Sequence, residues 1–171
     1  MHLRGLLLFG ALLFGALLVG CPTAPGDPAI ALATGEIGDA FVPLQDGDEL
    51  LVIQGPQGCC HVNGSVRVAG IDPGDPGDLA DPNNPTMAFE LLVEGDSIVL
   101  DGDAVQGLED APSSAEPFTH ELIERRVILD ILSDDPYDGV DAEFSVQVTD
   151  VNGVVLEASV DVVLEPHPFN D

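Results

Sequence analysis

An all-β fold, a two-sheet antiparallel sandwich, is what this sequence predicts, and three observations predict it. Beyond Gly35, short apolar runs recur between clusters of Gly, Pro, Asp and Asn, the punctuation of strands and turns. Several of those runs alternate apolar and polar residues with period two, as a strand does when one face meets a core. The pair Asn152-Gly153 stands between the last two runs, where a tight hairpin turn favours it.

Taken in order, residues 41–44 start the first strand, and Gln45-Asp46-Gly47-Asp48 turns the chain into an apolar strand at 49–53. Gly55-Pro56-Gln57-Gly58 breaks the chain before 61–69. There Val62, Gly64, Val66 and Val68 share one face, with His61, Asn63, Ser65 and Arg67 on the other. Residues 72–85 read as an acidic, low-complexity loop, followed by a strand at 86–93 and a hairpin return at 97–100 across Glu94-Gly95-Asp96. Residues 104–119 read as a loop with one helical turn near 105–109, and 123–132 as a strand. In 142–149, Phe144, Val146 and Val148 face inward; after the Asn-Gly turn, 154–164 returns with Leu156, Ala158, Val160, Val162 and Leu164 on one face. About seven or eight strands in a single domain fit an immunoglobulin-like outline, although the Cys…Trp…Cys hallmark of true immunoglobulin domains is missing.

The N-terminus is of another kind. Met1-His2-Leu3-Arg4 carries one firm positive charge, and residues 5–20 contain only Gly, Ala, Leu, Phe and Val. The run is shorter than the roughly 20 residues of a membrane-spanning helix. With its small residues at the end, it reads as an export signal, 1–20, that is removed. Leu18-Val19-Gly20-Cys21 resembles the processing site of bacterial lipoproteins: an aliphatic residue, a compact one, Gly or Ala, then Cys. The resemblance covers residues 1–21. It implies that Cys21 becomes the N-terminus and carries a diacylglyceryl thioether with a further amide-linked chain. Several acyl chains, at about 0.8 kcal/mol per buried CH₂, tether a protein where one alone would hold it only marginally. Pro22 is not the Asp that retains such proteins on the inner membrane of enteric bacteria, so display on the outer membrane or cell surface is expected. Residues 21–34, rich in Pro, Gly and Ala, then read as the lipidated cysteine and a flexible tether, and 35–171 as the sandwich domain.

The chain has 31 acidic and four basic residues for a net charge of −27. Removal of 1–20 takes Arg4 and no acid, leaving −28. Such a surface repels phosphate backbones, which excludes nucleic acid as a partner. Anionic headgroups are repelled too, so the acyl chains on Cys21 are the expected membrane contact. Acidity of this degree serves solubility in salty surroundings, where counterions screen self-repulsion. It also suits capture of a divalent ion, or of an envelope protein or other cationic partner.

Two groups of residues are candidate sites. Cys59, Cys60 and His61 together offer soft ligands for copper or zinc. Neighbouring side chains on a strand face opposite ways, so both thiols reach one metal only across a turn, and a structural zinc would need a further ligand such as His120. The alternatives are a vicinal disulfide, two reduced thiols of which one is buried, or bridges to other chains. The first needs a strained turn, since consecutive Cα atoms lie about 3.8 Å apart, below the usual disulfide range of about 4.4–6.8 Å. The stretch marked by Gly55, Gln57, Gly58, His61 and Val62 resembles an element of uncharacterised lipoproteins from myxobacteria and relatives. That resemblance runs to about residue 72 and brings no activity with it. The second group is Asp72, Asp75, Asp78 and Asp81, spaced every third residue, which offers oxygen ligands for calcium. An EF-hand loop places its ligands at alternate positions instead, and a solvated loop explains the spacing equally.

No Gly-x-Ser-x-Gly, His-Glu-x-x-His or phosphate-binding loop occurs. The sequence therefore reads as a lipid-anchored envelope protein that binds or spaces rather than catalyses, and not as an enzyme. A metal- or redox-responsive lipoprotein using Cys59, Cys60 and His61 is the alternative.

Overall fold

The computed structural model describes residues 27–35, 41–55 and 60–168. Twelve strands follow one another among the described residues: β1 (Ala29–Thr34), β2 (Val42–Pro43), β3 (Asp48–Gln54), β4 (Cys60–Ala69), β5 (Thr86–Val93), β6 (Asp96–Ser97), β7 (Val99–Asp101), β8 (Asp103–Val105), β9 (Glu109–Asp110), β10 (His120–Leu129), β11 (Val140–Thr149) and β12 (Val155–Pro166). Single 3-10 turns stand at Ser113–Ala115 and Asp135–Tyr137.

These strands make two layers. In the first, β4 is central: β10 runs along one of its edges, while β1 and then the end of β3 share the other. β2 extends β1, and β7 and β9 extend β10. In the second layer β12, β11 and β5 lie side by side, with β6 and β8 on the outer edge of β5. β3 belongs to both layers. Its residues 48–52 pair with β12, and Ile53 and Gln54 then cross to pair with His61 and Cys60 of β4. A strand that changes layers in this way makes the corner of a sandwich.

The interior is continuous. Val62, Val66 and Val68 of β4 and Val127 and Leu129 of β10 meet Met87, Phe89 and Leu91 of β5 and Phe144, Val146 and Val148 of β11. Phe89 and Phe144 stack with ring centroids 6.0 Å apart and planes inclined by 20°. Gly64 stands over them because nothing larger fits: a Cβ at that position would lie 2.6 Å from Cε1 of Phe89.

The period-two segments at 61–69, 142–149 and 154–164 are strands, and Asp150 to Gly153 is the turn between the last two. Gly153 N donates to Asp150 O at 3.0 Å across it. Three expectations need correction. Residues 29–34, expected as tether, form β1, with Leu32 3 % and Ala33 0 % exposed. Ala29 to Ala33 are apolar at every position, so no polar face alternates with an apolar one to mark the strand. The sandwich is not wholly antiparallel, because β3 and β12 run parallel; nearly the whole domain separates them, so no short hairpin sets their direction. The strand count exceeds seven or eight because the stretch after β5 breaks into short edge pieces. The helical turn expected at 105–109 is absent: β8 ends at Val105, β9 begins at Glu109, and the residues between them are irregular.

β10 also begins and ends three residues earlier than its apolar run suggests. A bulge between Leu122 and Arg125 shifts the register against β4, and Glu124 there takes φ 61°. The Oγ of Ser65 accepts the Glu124 N–H at 3.0 Å.

Gly64→Val drives a branched side chain into the Phe89–Phe144 stack. Overpacking of this kind costs about 1–3 kcal/mol, read as a lower urea midpoint at unchanged m-value; an unchanged midpoint refutes the packing account.

Candidate functional site

β4 begins with Cys60 and His61, and its pleat sends them to opposite sides. Cys60 is 1 % exposed and belongs to the core beside Val62. His61 is half-buried on the outer face, level with Ile53 of β3 and Ile128 of β10. Their side chains do not converge on one ion. Cys59, like Cys21, lies outside the described residues.

His120 offers no further ligand to this end. The register sets His120 against Val68 and His61 against Ile128. The two histidines are thus separated by most of β4, about 20 Å of strand at roughly 3.3 Å per residue. His120 instead meets Asp110, Nε2 to Oδ1 at 3.6 Å, and its Nδ1 lies 2.9 Å from the Thr119 hydroxyl. Burial, and after it the Arg126 guanidinium, hold His61 below the usual imidazole range.

The aspartates at 72–81 are builders of turns. Asp72 Oδ1 accepts from Gly74 N at 3.1 Å, Asp75 Oδ1 from Gly77 N at 2.8 Å, Asp78 Oδ1 from Ala80 N at 2.9 Å and Asp81 Oδ1 from Asn83 N at 2.8 Å. Backbone bonds then link Asp78 N to Asp75 O, Asp81 N to Asp78 O and Asn84 N to Asp81 O. Each aspartate bonds the amide two residues on, so a period of three yields a chain of successive turns. The buried amide of Asn84 ties the loop together: its Oδ1 accepts from Asp75 N at 2.9 Å and its Nδ2 donates to Asp78 O at 2.8 Å. Among the described residues, no group of three or more His, Cys, Asp or Glu side chains is placed to hold a metal ion.

Asp150, 5 % exposed, anchors this loop to the hairpin. Its carboxylate accepts the N–H groups of Asp72 at 3.0 Å, Asn152 at 2.9 Å and Val154 at 2.8 Å. Burial works to raise its pKa, but these backbone donors and the Asn152 amide outweigh it and hold the group below the usual carboxylate range.

Two features had no signal in the sequence. Arg67 is held on the outer face of β4 between Glu121, Nε to Oε2 at 2.7 Å, and the Phe41 ring, whose centroid is 4.1 Å from Cζ. A cavity of about 410 Å³ lies on the same face, lined by Thr34, Gly35, Val42, Glu49, Leu51, Ile53, Asn63 and His167. Val42, Leu51 and Ile53 make its apolar wall, and Glu49 and His167 its ionisable groups. Asn63 closes the inner side, donating from Nδ2 to Gly35 O at 2.8 Å, while its backbone carbonyl accepts the Thr34 hydroxyl at 3.0 Å. His167 continues the ladder beyond β12: its N–H donates to Val52 O at 2.9 Å. The cavity is assembled from five separated segments, which is why no motif announces it. It suits a small molecule with an apolar body and a polar head.

No protein-family model and no curated protein matches the chain. Among solved structures, the chain is similar to CopC from Methylosinus trichosporium OB3b, at 13 % identity and a TM-score of 0.32, over 72 % of this chain and 87 % of that one. A likeness of that size carries over neither a site nor a function.

Two outcomes are expected. Asp150→Ala strips the acceptor from three backbone donors and destabilises the fold by about 1–3 kcal/mol at neutral pH. Because the folded pKa is depressed, the advantage of wild type is complete above the ordinary carboxylate pKa and is lost as pH falls through the lower folded value. Urea titrations of both proteins across that range check this, and a pH-independent gap contradicts it. For His61, the folded pKa is also lowered, so an unfolded chain takes up the proton first and stability falls as pH drops below the ordinary imidazole value. Arg126→Gln removes the charge contribution and moves the His61 imidazole titration upward, as followed by NMR; no movement leaves burial as the whole cause.

Proposed function

We propose that this chain is a lipid-anchored cell-envelope protein whose β-sandwich binds or spaces rather than catalyses. One observation carries the reading. A lipoprotein-like Leu18-Val19-Gly20-Cys21 is followed almost at once by a folded domain, whose first strand begins at Ala29. Acyl chains at Cys21 hold the sandwich beside the membrane, and its loops and outer faces meet partners there. The wall composition of the cavity on the outer face of β4 supports a binding role. No helix among the described residues is long and apolar enough to cross a membrane. In this reading the anchor is Cys21, and the outer membrane or cell surface is the address.

A metal- or redox-responsive role for Cys59, Cys60 and His61 has less support, because Cys60 and His61 lie on opposite faces of β4.

Cys21→Ala tests the anchor. The variant is expected to accumulate as unprocessed precursor or to leave the membrane fraction, with no acyl mass on the intact chain. Membrane fractionation identical to wild type overturns the proposal.

A further inference from the structure

We infer that the sandwich stands end-on to the bilayer, with the β4–β5 loop and β11–β12 hairpin resting on lipid and the opposite end presented outward. This rests on the reading of Cys21 as the lipid-bearing residue.

The path of the chain sets the orientation. The described structure begins at Asp27, and Asp27 and Pro28 pack against the end of β4. Gly70, at φ +73°, is the residue they cover; a Cβ there would lie 2.7 Å from the backbone N of Pro28. β1 then pairs Ala29 with Ala69. Residues 22–26 alone separate Cys21 from this point, so even fully extended the link spans only about 20 Å. The ten-residue strand β4 is itself about 33 Å long at roughly 3.3 Å per residue. The end at Gly70 is therefore held close to the bilayer, and the end at Cys60 has no such restraint.

The tethered end also carries the surface that suits lipid. Asp72 is bonded to Asp150, so the 72–85 loop and the hairpin tip are neighbours there. Of the seven large apolar side chains exposed among the described residues, four sit at this end: Leu79 (72 %), Val105 (57 %), Val155 (49 %) and Val151 (48 %). Cross-strand register makes Val105, Thr86, Thr149 and Val155 a single uncharged row over the end of the second layer. Rows farther from the tether gain charge, through Glu157, then Glu90, then Glu143 and Asp161. A sandwich lying on that face would bring those carboxylates to the lipid with no large exposed apolar side chain among them. Standing on the uncharged row brings the exposed apolar side chains to the lipid instead. The aspartates of the loop each give one oxygen to a turn, and their remaining charge matches the ammonium of zwitterionic headgroups rather than an anionic surface.

The chain contains no tryptophan, so a single one reports position. Full-length lipidated Val151→Trp and Leu132→Trp are each reconstituted into phosphatidylcholine–phosphatidylethanolamine vesicles containing lipids brominated high on the acyl chain. Leu132 is 98 % exposed and follows β10 at the far end, so it carries the same intrinsic attraction of tryptophan for the interface. Loss of Val151→Trp emission, with Leu132→Trp unquenched, is the expected result. Equal quenching at both positions, quenching at Leu132→Trp alone, or none at either, on protein whose intact mass shows acylation, overturns the orientation and leaves the anchor standing. Protein recovered from the membrane without acyl mass overturns the anchor reading and this inference with it.

Discussion

Burial of β4 on both faces and pairing along both its edges is the constraint on which the rest of the structure depends. Its core side, Val62, Gly64, Val66 and Val68, meets the second layer, and Gly64 sets how closely β5 approaches. Its other side is covered as well, with Asn63 5 % and Ser65 0 % exposed. Polar groups buried there need partners. Asn63 finds Gly35 and Thr34, Ser65 finds the bulge of β10, and Arg67 finds Glu121 and Phe41. These partners fix the route of the chain on either side of β2 and the irregularity of β10, and they bound the cavity beside Asn63.

A domain of such net charge also has to place its few cations and its many acids. The three arginines among the described residues, Arg67, Arg125 and Arg126, all belong to β4 and β10. Arg67 and Arg125 are engaged with carboxylates, Glu121 and Asp101. Part of the acidity is put to local use instead: Asp72, Asp75, Asp78, Asp81 and Asp150 each accept backbone N–H groups, organising the loops at one end. At the other end, crowding is visible where burial, then Asp138 and Glu49, raise the pKa of Glu165.

Legibility varied with burial. The strands with one wet face, β11 above all, announced themselves because alternation is the imprint of an interface between core and water. β1 did not, because Ala29 to Ala33 are apolar throughout and no polar position alternates with them. The loop at 72–85 was legible as a loop, but not as an ordered one. Its order depends on Asn84 and on a carboxylate, Asp150, that arrives from far along the chain. For the Cys60–His61 pair, the opposed directions expected of a strand are what the structure shows; the depth of Cys60 in the core was not readable from its neighbours.

By itself, the sequence determined the local matters: which segments are extended, where the chain turns, which face of each exposed strand is apolar, and the lipoprotein-like character of residues 1–21. Those follow from periods and propensities that act over a few residues. The tertiary structure decided the rest: the passage of β3 from one layer to the other, its parallel run beside β12, the gathering of Thr34, Glu49, Asn63 and His167 around one cavity, and the end of the sandwich at which Asp27 emerges. Each of these joins residues far apart in the chain, and only the packing of two sheets over a shared core brings them together.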